Sequence, residues 1–332
     1  MRKLILSCVV ILIAFFSSCQ NPVKQHHLEG FVQGTYYNIR YYDPKNRDLR
    51  KQIDSLLNDF NKTASIFDSS SIISRINRNE ENVILNNDFI EIFNIAMEVS
   101  RNTDGAFDIT VGQLVNAWGF GPEKRKTMTK EIVDDLLSCV GYTKISIQNN
   151  KVVKETPCIH LNFNAIAKGY SVDMLGRFFE KLSIENYLID IGGEVFAKGD
   201  KLGTPWMLGI EQPTTEKEAE RELVTTIPLR NMALATSGNY RKYYEQDGTR
   251  YAHTISPQTG YPVVNTLLSA TVLHPKTAYA DAYATSFMVM GLEKSLEMIE
   301  QYPELQVFFI YEDQGELKTF ATEEMWKLIK KG

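Results

Sequence analysis

Several things are missing from this chain, and each absence narrows the possibilities. No block of Lys and Arg interrupts it, and its formal charge is −5, which argues against a general nucleic-acid binder. No internal repeat and no low-complexity segment is visible, which removes repeat arrays and linker-type architectures. No apolar run spans a membrane comfortably: residues 4–16 are mostly apolar but fall short of the ~20 residues a helix needs. Cysteine is scarce, four in 332 residues, and Cys8 and Cys19 lie at the very start. That leaves Cys139 and Cys158. In an oxidising compartment they could pair, but a chain this size does not need the staple, so two separately buried thiols are an equal reading.

What remains is ordinary globular material, 43% hydrophobic and 23% charged in 332 residues. It suffices for one large domain or two modest ones. The N-terminus reads as a targeting segment. Arg2 and Lys3 give a basic start, the apolar run follows, and Phe16-Ser17-Ser18-Cys19 places two small residues directly before a cysteine. This resembles a bacterial lipoprotein signal with Cys19 as the lipidated first residue of the mature chain, although Phe16 departs from the usual Leu. The alternative is a secretory signal with an incidental cysteine. Either way the protein leaves the cytoplasm, and the expected address is the cell envelope, facing the periplasm. The expected organisation is a signal over 1–18, a tether over 19–28 and a folded region over 29–332, with two subdomains as an option.

Along that region the pattern alternates between strand and helix signals. Residues 30–42 are aromatic-rich and alternating, which predicts one strand. Apolar residues at Ile53, Leu56, Leu57 and Phe60 predict a helix over 49–60, and Phe89, Ile92, Phe93, Ala96 and Val99 another over 88–102. The polar loop ending at Ser71 caps a short helix over 72–77. Further helices are predicted over 130–140, 167–182, 292–301 and 323–330. Strands are predicted over 158–163, 186–191, 206–210, 223–228, 232–236, 240–244, 250–255, 267–273 and 306–311, with a hairpin about Asn149-Asn150. Residues 213–221 form a charged excursion. The fold class is α+β with mixed, largely antiparallel sheets, not a doubly wound one.

The chemistry centres on Ala280-Asp281-Ala282-Tyr283-Ala284-Thr285, at the start of a helix expected to run to Gly291. Four residues apart on a helix, Asp281 and Thr285 share a face one turn from each other. Carboxylate and hydroxyl oxygens are the hard ligands that Mg²⁺ accepts, with water and substrate phosphates completing its shell. The competing reading is an Asp favoured by the helix dipole, with a Thr bonded into its own turn.

Four other stretches stand out, each with a bland alternative. Gly105-Ala106-Phe107-Asp108, leading to Trp118-Gly119-Phe120, combines flexible backbone with flat apolar surface, or is a turn with core aromatics. Asn162-Phe163-Asn164-Ala165-Ile166-Ala167-Lys168 is a strand end passing into a helix, where an N-terminus and Lys168 attract anions. The competing reading of Lys168 is a solvated first-turn residue. Gly192-Gly193 is a phosphate-approaching turn or a tight hairpin. Among five histidines, His253 alone is set among turn and hydroxyl residues, next to Thr254-Ile255-Ser256-Pro257. In a cleft it would be a natural general base.

Taken in this order, these segments closely resemble the ApbE family, the FAD:protein FMN transferases, from Gly34-Thr35 through Ser71-Ile72-Ile73-Ser74-Arg75-Ile76-Asn77 to Gly291. The resemblance implies a Mg²⁺-dependent enzyme that splits FAD, passes FMN to a Thr or Ser hydroxyl of an acceptor protein, and releases AMP. It implies Mg²⁺ on the side chains of Asp281 and Thr285 and on the carbonyl of Ala165. It places FAD against Gln33, Phe67, Ala106, Phe107, Asp108, Asn162, Lys168 and Ile255. His253 is then the candidate to activate the acceptor hydroxyl. Expected acceptors are flavoprotein subunits of membrane redox complexes. Three positions depart from the family pattern: Gln33 where Met is common, Asn162 where Asp is, and Ser256 where Asp is frequent. Two other activities are compatible with the same residues: an FAD pyrophosphatase yielding FMN and AMP, and a non-catalytic FAD-binding lipoprotein.

Overall fold

The protein is described as a computed structural model, covering residues 23–213, 222–239 and 254–329, with the backbone alone of 243–246 and 249–252. In chain order the elements are β1 (Gln25–Val32), β2 (Thr35–Tyr42), α1 (Arg50–Ala64), α2 (Ile72–Asn77), α3 (Asn87–Asn102), α4 (Gly112–Ala117) and α5 (Lys130–Ser138). There follow β3 (Ile145–Gln148), β4 (Lys151–Lys154), α6 (Ala167–Lys181), β5 (Asn186–Ile191), β6 (Glu194–Lys198), β7 (Trp206–Glu211), β8 (Leu223–Leu229) and β9 (Met232–Gly238). The last are β10 (Tyr243–Gln246), β11 (Thr249–Ala252), β12 (Leu267–His274), α7 (Thr277–Gln301), β13 (Gln306–Asp313), β14 (Glu316–Ala321) and α8 (Glu323–Ile329).

Eight strands form one sheet in the order β1-β2-β5-β6-β9-β12-β13-β14. Every neighbouring pair is antiparallel, as the α+β reading requires. Strand alternation sorts the sheet's side chains onto two faces. Tyr187, Ile189, Ala233, Ala235, Ala270, Val272, Val307 and Phe309 join the main core, with apolar residues of α1, α3, α6 and α7. Leu188, Val195, Ala197, Leu234, Leu273, Phe308 and Ile310 point the other way. They are covered by Trp206 and Ile210 of β7, Ile227 and Leu229 of β8, and Met325 of α8. A third, smaller cluster joins α4 and α5 around Leu114, Trp118, Val133 and Ile255.

Local signals explain most boundaries. Ser71 accepts from the Ser74 amide at 3.1 Å and so caps α2. Asn149 and Asn150, at φ 49° and 60°, make the tight β3–β4 turn. Gly291, at φ 75°, breaks α7 where one predicted helix ends and the next begins. The structure also corrects the sequence reading. Residues 30–42 are two strands, not one: Gln33 and Gly34 both take positive φ, 52° and 74°, and reverse the chain. Strand β1 starts at Gln25, so residues 25–28 belong to the sheet and not to a tether. Residues 158–163 form no strand. They make one bridge, Val111 to His160, and are held by Asn77, whose side chain bonds the Leu161 backbone at 2.7 and 2.9 Å. Cys139 and Cys158, left open above, are joined as a disulfide with Cα atoms 5.6 Å apart.

Candidate active site

Helices α6 and α7 meet at their N-terminal ends, over one end of β6 and β9. Neither helix has a side-chain cap of its own, at Ile166 or at Lys276. Their first-turn amides are therefore orphan donors. The Gly169 amide of α6 donates to Asp281 Oδ2 of α7 at 3.1 Å. In return, the Thr277 and Ala278 amides of α7 donate to the two carboxylate oxygens of Asp173 on α6, at 2.7 and 2.9 Å. This close approach depends on Gly169, where a β-carbon would lie 2.5 Å from the Thr277 carbonyl oxygen.

Three charged side chains converge on this junction. Lys168, in the first turn of α6, forms an ion pair with Glu194 Oε1 at the start of β6. Glu194 and Asp281 are both buried, 3% exposed. Burial pushes the Glu194 carboxyl up, and the Lys168 ammonium beside it opposes the shift. Burial likewise raises Asp281, against the pull of Lys168 and the Gly169 amide. Burial works against the Lys168 ammonium, but Glu194 and Asp281 outweigh it and raise its pKa. Two buried carboxylates thus share one ammonium. The second oxygen of Glu194 is buried with no hydrogen-bond partner. One turn beyond Asp281, Thr285 Oγ1 lies 3.2 Å from Ser237 Oγ of β9.

The donor set suits a hard cation. Asp281 supplies a carboxylate with one oxygen engaged and Thr285 a hydroxyl, and a cation beside them would offset the cost of burying the carboxyl groups. Among the described residues, no three of His, Cys, Asp and Glu converge as in an all-protein metal cage. A cation held here would depend on water and ligand oxygens, which is how Mg²⁺ is usually bound.

The remaining predicted residues fall in different places. Asn162 and Ala165 lie on the loop entering α6. The Asn162 side-chain oxygen accepts from the Asn164 backbone amide at 2.8 Å, and the Asn162 backbone N–H donates to Ile109 O at 2.7 Å. That bond joins this loop to the one carrying Ala106, Phe107 and Asp108, all buried. Asp108 is occupied locally: it accepts from the Thr110 amide and hydroxyl at 2.7 and 2.6 Å and from the Tyr142 amide at 2.7 Å. It clamps the loop that presents Ala106 and Phe107.

Gln33, at the β1–β2 turn, reaches α6 and donates to Ser171 Oγ at 2.6 Å, leaving its buried Oε1 unpartnered. Phe67 is 66% exposed and joins none of this. Ile255 is buried in the α4–α5 cluster, which Trp118 ties to the following loop by donating to Gly260 O at 2.8 Å. Ser256 accepts from the Thr259 amide at 3.2 Å within a turn. His253 and Cys19 lie outside the described residues, as do 214–221 and 247–248.

Sequence reasoning passed over Glu194, Ser237 and Asp173. A signal existed for two of them. Glu194 stands directly before the apolar run Val195-Phe196-Ala197 of β6, and Asp173 sits among buried residues of α6. Ser237 carried no signal apart from its neighbours.

The ApbE family model matches residues 33–309. The FAD:protein FMN transferase of Haemophilus influenzae is 36% identical, over 99% of each chain. That of Vibrio cholerae is 34% identical over 100% of each. Among solved structures, the flavin transferase ApbE from Vibrio cholerae superposes with a TM-score of 0.83 at 35% identity, covering 92% of this chain and 100% of its own. The ApbE protein of Thermotoga maritima superposes with a TM-score of 0.81 at 26% identity, covering 92% and 99%.

Proposed function

The chain belongs to the ApbE family, and on that footing we propose how it works as an FAD:protein FMN transferase. FAD is its substrate, and an acceptor protein receives the FMN. The oxygen of an acceptor Thr or Ser hydroxyl attacks the FMN phosphorus. The bond from that phosphorus to the bridging oxygen breaks, and AMP leaves. An unassisted hydroxyl is a poor nucleophile, so its proton passes to a base, for which His253 is the candidate.

The chain's own residues prepare this step. Asp281 and Thr285 side chains, with the Ala165 carbonyl, would hold Mg²⁺. There it would neutralise pyrophosphate charge and stabilise the charge developing on the transferred group. Lys168, fixed by Glu194, sets a positive charge at the N-terminus of α6, where phosphate oxygens are favoured. Ala106 and Phe107 give apolar surface to a flavin or adenine ring. The observation that carries the reading is the buried pair of Asp281 and Glu194 sharing one lysine beside the Thr285 and Ser237 hydroxyls.

We place the mature chain outside the cytoplasm, anchored through lipid on Cys19 and facing the periplasm. The Cys139–Cys158 disulfide supports this, because such bonds persist in oxidising compartments. Flavoprotein subunits of membrane redox complexes facing the same compartment are the proposed acceptors. The test is incubation with FAD, Mg²⁺ and a candidate acceptor, followed by mass spectrometry of both products. FMN covalently on the acceptor together with free AMP supports the reading. AMP with FMN only in solution would make the protein a pyrophosphatase, and intact FAD would sink both.

A further inference from the structure

The two helices at the site cap each other. Each lacks a local side-chain cap, and each has its orphan amides satisfied by a carboxylate from the other. The donors and acceptors form two rungs. Gly169 and Asp173 are one turn apart on α6, and Thr277 and Asp281 are one turn apart on α7. One rung runs from Gly169 to Asp281, the other from Thr277 and Ala278 to Asp173. Between them Gly169 lets the Thr277 carbonyl approach. Two rungs fix both the slide and the rotation of α7 on α6. A slip of one residue would turn α7 by about 100° and carry Asp281 and Thr285 off the junction.

We propose that Asp173 is a positioning residue for the reaction: by bonding both opening amides of α7, it sets where Asp281 and Thr285 stand. It touches neither of those side chains, and acts only through the backbone of the first turn. A charge-assisted acceptor for two amides is stronger than a neutral one, and ordering groups behind a ligand typically tune metal affinity by about tenfold or more. The inference rests on the metal reading above.

The test uses the full-length protein loaded with FAD. Mn²⁺ is titrated in, the free ion is counted by electron paramagnetic resonance, and hydrogen exchange is followed over residues 277–285. Asp173→Asn keeps the shape but offers an acceptor to only one amide. It should weaken Mn²⁺ binding about tenfold and speed exchange at Thr277 and Ala278, while FAD affinity without metal stays within about twofold. Asp173→Glu keeps the charge on a longer arm and should fall between Asp173→Asn and the unmodified protein. If Asp173→Asn does not fold, Asp173→Glu decides alone, since unchanged Mn²⁺ affinity there overturns the proposal. Faster exchange with unchanged Mn²⁺ affinity also overturns it, as does an equal loss of metal-free FAD binding. Uptake of no Mn²⁺ by the unmodified protein would overturn the metal reading itself, a result distinct from these.

Discussion

Gly169 packs against Thr277 so closely that a β-carbon would sit 2.5 Å from its carbonyl oxygen and 2.9 Å from the Ala278 Cα. These are backbone atoms of α7 and cannot swing aside as a side chain would. Gly169→Ala must therefore push the two helices apart, although Ala favours a helix by roughly 1 kcal/mol over Gly. Overpacking of this kind costs about 1–3 kcal/mol. The expected net result is a modest loss of stability and a large loss of transfer, because the shift separates Lys168 from Asp281. Urea unfolding and FMN transfer on the same preparation check this. A stabilised, fully active variant would refute the close-packing account.

Asp281 is the proposed metal ligand; it accepts one hydrogen bond, from the Gly169 amide, and fills little core volume. Asp281→Ala should abolish transfer with the fold intact by circular dichroism. Normal turnover at limiting Mg²⁺ would count against its role. His253→Ala should slow transfer more than it weakens FAD binding, and equal losses would assign His253 to the cofactor instead.

Lys168 and Glu194 should behave as a unit. Lys168→Met leaves Glu194 and Asp281 buried without their cation, and breaking a buried pair this way costs about 3–5 kcal/mol. Adding Glu194→Gln removes one of the stranded charges, so the double variant should regain most of the stability. FAD binding should stay weak in both, since the positive charge at the α6 N-terminus is gone. Denaturant unfolding of the four proteins closes the cycle. Additive losses would mean that the two side chains do not act together.

Legibility in the sequence followed periodicity. The α1 and α3 stripes, the Asn149-Asn150 turn and the break at Gly291 are local, and each was readable from a few neighbouring residues. Strand β14, Glu316–Ala321, is exposed along most of its length and offers no alternation to read. Residues 158–163 look like a strand by composition, yet Asn77 and Ile109 hold them as a loop, and no local pattern reveals that. At the candidate site, Asp281, Thr285 and Lys168 drew notice because each sits near a helix start, and the structure brings them to one junction. Glu194 and Asp173 stood out at most as acids beside apolar neighbours, and their partners appear only once β6, α6 and α7 are brought together. Asp108 drew notice beside the glycine and aromatics of its loop, but in the structure its oxygens are occupied by Thr110 and Tyr142.

The disulfide closes a separation of 19 residues between the end of α5 and the segment leading to Asn162 and Ala165. A loop of that order restricts the unfolded chain by about 3 kcal/mol. Reduction should lower the melting temperature, and Cys139→Ala with Cys158→Ala should reproduce the drop and make the protein indifferent to reductant. A melting curve unmoved by reductant in the unmodified protein would show that the bond contributes nothing.

A pH-dependent part of the stability is set far from the site, at Asp43. Its buried carboxylate accepts from Arg47 Nε at 2.6 Å and Arg47 Nη2 at 2.9 Å, and from the Arg47 and Lys45 amides at 2.8 and 3.0 Å. Arg47 also donates to Leu182 O at 3.0 Å, tying the end of β2 to the end of α6. Burial alone would raise the Asp43 pKa, but the Arg47 guanidinium and these amides outweigh it and hold it at about 2. In the unfolded chain it returns to about 3.9. Because the folded value is the lower one, the contribution is fully present above about pH 4 and is lost as pH falls through about 2. A difference of this size corresponds to roughly 2–3 kcal/mol. Asp43→Asn should be less stable at neutral pH and should lose roughly 2–3 kcal/mol less than the unmodified protein over that acid range. Urea unfolding at stepped pH measures both, and parallel curves for the two proteins would show that the Asp43–Arg47 pair is not the acid-labile element.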